Sequence, residues 1–149
     1  MSSKTDKYSE IIMDRPDYSP YIYFLFYQKT DPTFYQTQVI RYSTDEEGFQ
    51  HVKSIGNLNF KKLDWADDLI IPARLLISWA ESTPKNATQS SMVVDSLLIN
   101  YLQDKYQQTF GLQTGDRISS QLVKTISLKN GQPQFYLIEI NKDLMRITN

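Results

Sequence analysis

The chain predicts an α+β fold: a single domain with a mainly antiparallel sheet built from two hairpins, packed against two or three helices. Three observations lead there. Two aromatic-rich runs flank a short polar connection, one amphipathic stretch repeats at helical spacing, and an Asn-Gly pair sits between two further strand-like segments. With 149 residues the chain fits one domain, able to bury roughly two thirds of the surface its unfolded form exposes. Residues 1–18 read as a flexible lead-in and residues 19–149 as the single α+β domain.

The first hairpin is expected from Tyr21–Gln28 and Phe34–Ser43 around Lys29–Thr33, and Tyr18 to Tyr42 contains nine aromatic residues. Along a strand, Tyr21, Tyr23, Leu25 and Tyr27 share one face and Ile22, Phe24 and Phe26 the other. A strand apolar on both sides lies within a covered sheet or keeps one aromatic face for a partner. Thr44-Asp45-Glu46-Glu47 has the form of a capping box, predicting a short helix carrying Phe49, Val52 and Ile55 and stopped by Gly56. Pro72 suits the first turn of a second helix with Leu75, Leu76, Trp79 and Ala80 inward, and a strand from Leu69 to Ile77 is the rival assignment.

Ser82 to Thr88 is a loop by composition. Val94, Leu97, Leu98, Tyr101 and Leu102 then define the main helix, with Ser90 or Ser91 as cap and Gly111 as stop. Leu122–Leu128 and Phe135–Asn141 flank Asn130-Gly131, a pair suited to a type I′ turn. That turn sets Lys129 against Gln132, Ile126 against Phe135, Lys124 against Leu137 and Pro133 against Leu128. Because Pro133 cannot donate to a further strand, its strand should lie at an edge near the turn.

Composition limits the chemistry. There is no cysteine and only one histidine, His51, so no disulfide forms and the usual soft metal ligands are missing. The start Met1-Ser2-Ser3-Lys4 lacks a signal-peptide pattern, and the longest apolar cluster, Leu69 to Ala80, is broken by Pro72, Arg74 and Ser78. An intracellular, cytoplasmic or nuclear location away from membranes follows as the expectation. Sixteen Lys and Arg against seventeen Asp and Glu give a formal charge of −1. That balance disfavours nucleic-acid binding through bulk positive charge.

Glu47 and His51 would share a helix face, but no nucleophile accompanies them at a recognisable spacing. Asp64, Asp67 and Asp68 form a carboxylate cluster that matches no calcium loop, and the scattered glycines build no phosphate cradle. No catalytic residue, metal site or cofactor is therefore assigned. The leading expectation is a non-catalytic protein-interaction module, a small assembly or adaptor subunit. Tyr21, Tyr23, Tyr27 and Tyr35 would contact protein partners or a second copy. The alternative is an RNA or single-stranded nucleic-acid binding subunit, in which Lys61, Lys62, Arg74 and Lys124 meet phosphates while bases stack on tyrosines. A hydrolase centred on Glu47, His51 and the aspartate cluster ranks third.

Tyr8-Ser9-Glu10, Pro16, Tyr18 and the run from Tyr21, then Phe110-Gly111 after a helix, then Val123-Lys124 and Tyr136-Leu137-Ile138 resemble the small protein subunits of ribonuclease P and ribonuclease MRP. The resemblance implies an α/β sandwich that helps assemble a ribonucleoprotein and contacts its RNA and protein neighbours without catalysing the reaction. It covers the two ends of the chain. Residues 30–88 would be an insertion, and the helices expected after the last hairpin are missing.

Overall fold

The computed structural model describes residues 7–14, 29 and 31–143, so the expected strand Tyr21–Gln28 lies outside the described residues. In chain order the elements are β1 (Glu10–Met13), α1 (Pro32–Gln38), β2 (Val39–Arg41), β3 (Val52–Ile55), β4 (Leu58–Phe60) and α2 (Trp65–Asp68). They continue with β5 (Arg74–Trp79), a 3-10 turn (Ala80–Ser82), β6 (Gln89–Val93), α3 (Ser96–Tyr106), β7 (Arg117–Ser127) and β8 (Pro133–Asp143). The strands form one eight-stranded mixed sheet in the order β2-β3-β4-β1-β5-β8-β7-β6.

The α+β class holds, and the sheet is mainly antiparallel as expected, but it is mixed, because β1 pairs in parallel with both β4 and β5. Residues 10–13, placed in the flexible lead-in by sequence, are instead an interior strand of the sheet. Ile11, Ile12 and Met13 are consecutive and buried, as a strand covered on both faces requires. Four residues are too few for periodicity to reveal.

Phe34–Ser43 is not one strand. Asp31 and Pro32 start a helix there: the Asp31 carboxylate accepts from the Thr33 amide at 2.8 Å, and proline occupies the first helical turn. Only Val39–Arg41 of that run is assigned to a strand, paired with β3. The helix expected after Thr44 is replaced by a tight turn, because Asp45, not Thr44, accepts from the amides of Glu47 (3.0 Å) and Phe49 (2.8 Å). Val52–Ile55 then forms a strand. Gly56 adopts the expected positive φ, 61°, but at the two-residue connection between β3 and β4.

The strand alternative over Leu69–Ile77 describes β5 better than the helix does. Leu75 and Leu76 point to opposite faces and both are buried, so an apolar run covered on both sides imitates a helical stripe. The main helix forms as expected, with different ends. Its cap is Asp95, whose carboxylate accepts from the Leu98 amide at 2.9 Å, since Ser90 and Ser91 belong to β6. It stops at Gln107, left-handed with φ 55°, before reaching Gly111. Asp95→Ala should cost about 1 kcal/mol, readable as a shift of the urea midpoint at constant m-value.

β7 and β8 pair with Ile126 opposite Phe135 and Lys124 opposite Leu137, as expected. The tip differs, because Gly131 has φ 84° while Asn130 does not take positive φ, which rules out a type I′ turn. The Leu128 amide donates to the Gln132 carbonyl, Pro133 faces Ser127 in place of Leu128, and Lys129 lies in the turn in place of facing Gln132. Pairing of β8 with β5 ends at Phe135, so Pro133 has no β5 partner to donate to, in keeping with its lost amide.

One face of the sheet packs under α2 and α3, with Ile12, Leu76, Ile138, Ile140, Leu102 and Val94 at the centre. On the other face Ile11, Met13, Val52, Leu58, Phe60, Leu75 and Ile77 form a second cluster, with Tyr35 and Val39 packed against it.

Candidate functional site

Tyr21, Tyr23 and Tyr27 lie outside the described residues. Tyr35 is half-buried on α1, where its ring packs on the second core cluster and its hydroxyl accepts from Arg41 at 3.0 Å. Of the four cationic candidates, Lys61 and Arg74 converge on one carboxylate, Asp68, at 3.0 and 2.9 Å. Lys62 is exposed after β4 and Lys124 is exposed on β7. Between their strands the sheet order places β1, β5 and β8, so the structure does not gather the four into one patch.

Glu47 is exposed in the turn and shares no helix with His51. The His51 imidazole instead lies 3.1 Å from Asp45. The aspartate cluster also separates. Asp64 caps α2, while the neighbouring Asp67 and Asp68 are both buried. Among the described residues no three His, Asp or Glu side chains group closely enough to hold a metal ion.

Asp67 and Asp68 each accept from three donors. Asp68 accepts from Lys61, from Arg74 and from the Asp64 amide at 2.8 Å, and Arg74 extends the network to Glu10 at 2.6 Å. Asp67 accepts from the hydroxyls of Tyr101 (2.5 Å) and Tyr106 (2.6 Å) and from the Lys105 ammonium. Burial by itself would push the Asp67 carboxyl up, but the hydrogen bonds from Lys105, Tyr101 and Tyr106 outweigh it and hold the group at about 2. For Tyr106, burial and the bond to Asp67 push the phenol up to about 12. Tyr101 and Lys105 are visible in the sequence as an i, i+4 pair, but their partner lies on α2, beyond any local pattern.

These values fix the sign of a pH effect. A carboxyl that titrates near 2 when folded and near its ordinary value when unfolded stabilises the fold above the unfolded pKa, and that contribution disappears as pH falls through the folded one. Asp67 should thus supply about 2 kcal/mol at neutral pH, lost between about pH 5 and pH 2. Asp67→Asn should flatten the acid limb of a plot of urea midpoint against pH.

Glu139 lines a surface cleft of about 340 Å³ with Lys7, Tyr8, Ala73, Phe110 and Lys142. The Lys7 ammonium at 2.5 Å and the Tyr8 hydroxyl at 2.8 Å both donate to Glu139. The bond from Lys7 is the main reason that this carboxyl lies below its usual range. Lys7 is mostly exposed, so the cleft is an open rim with a satisfied ion pair.

The remaining feature is the outer edge at β6. Gln89, Ser91, Met92 and Val93 are exposed, and among the described residues only β7 pairs with this strand. Met92 is 40% exposed, Val93 48%, and Leu97 in the first turn of α3 76%. A strand edge whose outward backbone groups have no strand partner among the described residues is a template for another strand. Among the described residues no helix is long and apolar enough to cross a membrane. No family model matches the chain, and no match was found among curated proteins or solved structures.

Proposed function

We propose that this chain is a non-catalytic protein-interaction module, a small assembly or adaptor subunit that docks through the sheet edge at β6. The observation that carries this reading is the solvent exposure of Met92, Val93 and Leu97 beside a strand that, among the described residues, pairs on one side only. Single exposed apolar residues are ordinary on any surface, but here they adjoin backbone groups able to extend a sheet. The buried carboxylates support the same reading. Asp67, Asp68 and Glu139 are each ion-paired, which suits them to holding elements together and not to exchanging protons with a substrate.

The nucleic-acid alternative draws less support, because Lys61 and Arg74 are both engaged with Asp68. In the ribonuclease P-type resemblance a helix runs to Phe110-Gly111, whereas α3 ends at Tyr106.

Affinity capture with the tagged chain tests the proposal. Wild type should retain protein partners or untagged copies of itself after nuclease treatment, and Val93→Lys should release them while leaving the circular dichroism unchanged. Capture that vanishes with nuclease, or that survives Val93→Lys unaltered, would reject it.

A further inference from the structure

Resting on that reading of the β6 edge, we propose that its occupant is the same strand of a second copy, paired antiparallel about a two-fold axis at Ser91. The backbone alternation sets the geometry. The Leu122 amide donates to the Thr88 carbonyl at 3.0 Å, and the Val94 amide donates to the Asp116 carbonyl at 2.7 Å. Even-numbered positions of this strand therefore turn their backbone groups toward β7. Gln89, Ser91 and Val93 turn theirs outward, as alternation in an antiparallel ladder demands. A two-fold axis at Ser91 sets that residue against its own counterpart, with Gln89 opposite Val93 and Ser90 opposite Met92. All the outward donors and acceptors then meet reciprocally, which is the requirement of an isologous interface.

Side chains favour the same occupant. Proteins protect exposed edges with charge, proline, a bulge or brevity, and β6 has none of these over its five residues. At the opposite end of the described sheet, β2 is three residues long, has an irregular register between Ile40 and Arg41, and exposes Arg41. β6 carries no charged side chain of its own to oppose in the copy, while the Arg117 guanidinium of β7 donates to the Ser91 hydroxyl at 3.0 Å and so stands beside the axis in each copy. The nearest charges along the chain are Lys85 before β6 and Asp95 after it, both exposed and of opposite sign. Antiparallel pairing brings the end of one strand beside the start of the other, so the Asp95 side of each copy approaches the Lys85 side of its partner.

Apolar cover follows as well. Met92 faces Ile118 across the β6–β7 ladder, and Ile118 belongs to the cluster under α3. A two-fold axis perpendicular to the sheet keeps both α3 helices on the same face of one continuous sheet. Met92 then lies where the two copies come together.

Sedimentation equilibrium of the full chain over a concentration series, from low to high micromolar, tests the inference. Wild type should show a monomer–dimer equilibrium. Ser91→Pro removes the outward amide at the axis, and Val93→Lys places two cations in the interface; each should raise the dissociation constant by about tenfold or more. Val123→Lys, an exposed position on β7, should leave the constant unchanged. If Ser91→Pro impairs folding, Val93→Lys together with concentration-dependent slowing of hydrogen exchange at the Ser91 amide carries the test. A strictly monomeric wild type, or a dimer indifferent to both β6 variants, would overturn the proposal. A monomer that still captures a different protein, and loses it with Val93→Lys, overturns self-pairing while leaving the interaction reading in place. A monomer that captures nothing overturns both.

Discussion

Replacing Asp68 by alanine is expected to cost about 3 to 5 kcal/mol, near the whole stability of many small domains. The side chain is 1% exposed and accepts from Lys61, Arg74 and the Asp64 amide. Without it, the Arg74 guanidinium keeps, among the described residues, only Glu10 as an ionic partner in a mostly buried site, and the first turn of α2 loses an acceptor. The cost comes from charge and donors left without compensation, more than from the attraction that is removed. Lys61→Ala should behave differently. Its ammonium is partly exposed and can return to water, so a loss of about 1 kcal/mol or less is expected. Urea unfolding of the two variants should therefore separate them clearly, and equal destabilisation would contradict the account of Asp68 as the centre of the network.

Phe60→Ala is expected to be equally severe, at about 3 to 5 kcal/mol. Phe60 is fully buried on β4, within the cluster formed by Ile11, Met13, Val52, Leu58 and Ile77. A strand of three residues has little backbone pairing to fall back on, so the ring supplies much of what holds that side of the sheet. Differential scanning calorimetry should show a lowered midpoint. Tyr42→Phe gives a contrast: its hydroxyl donates to the Phe60 carbonyl at 2.6 Å, and losing that single bond should cost about 1 kcal/mol.

What the sequence disclosed and what it concealed divide along physical lines. The α3 helix and the β7–β8 hairpin were legible, because eleven-residue elements display their period many times over. Lys124 and Ile126 found their expected partners even though the turn chemistry differed, since the hydrophobic alternation constrains register more strongly than the loop does. Short elements failed in the opposite way. At Thr44 and Asp45 two acceptors competed for the same amides, and local pattern matching chose the wrong one. At Leu75 and Leu76 burial on both faces erased the alternation that would mark a strand. The candidate edge was hidden for a similar reason. Ser90 and Ser91 were read as helix caps because serine favours that role, while membership of a sheet depends on Ser119 and Ser120, some thirty residues away. The same distance hid the pairing of Asp67 with Tyr101 and Tyr106.

The placement of β1 has a consequence for how the molecule assembles. Among the described strands it alone has two neighbours that both run alongside it in the same direction; on one flank β2, β3 and β4 form a meander, and on the other β5, β8, β7 and β6 zip as a separate ribbon. Four residues translated ahead of both ribbons therefore act as the seam between them. β4 is made before β5, so the seam can close first on the β4 side and unites the two ribbons only once β5 has been made, a long-range step that carries a loop-closure cost.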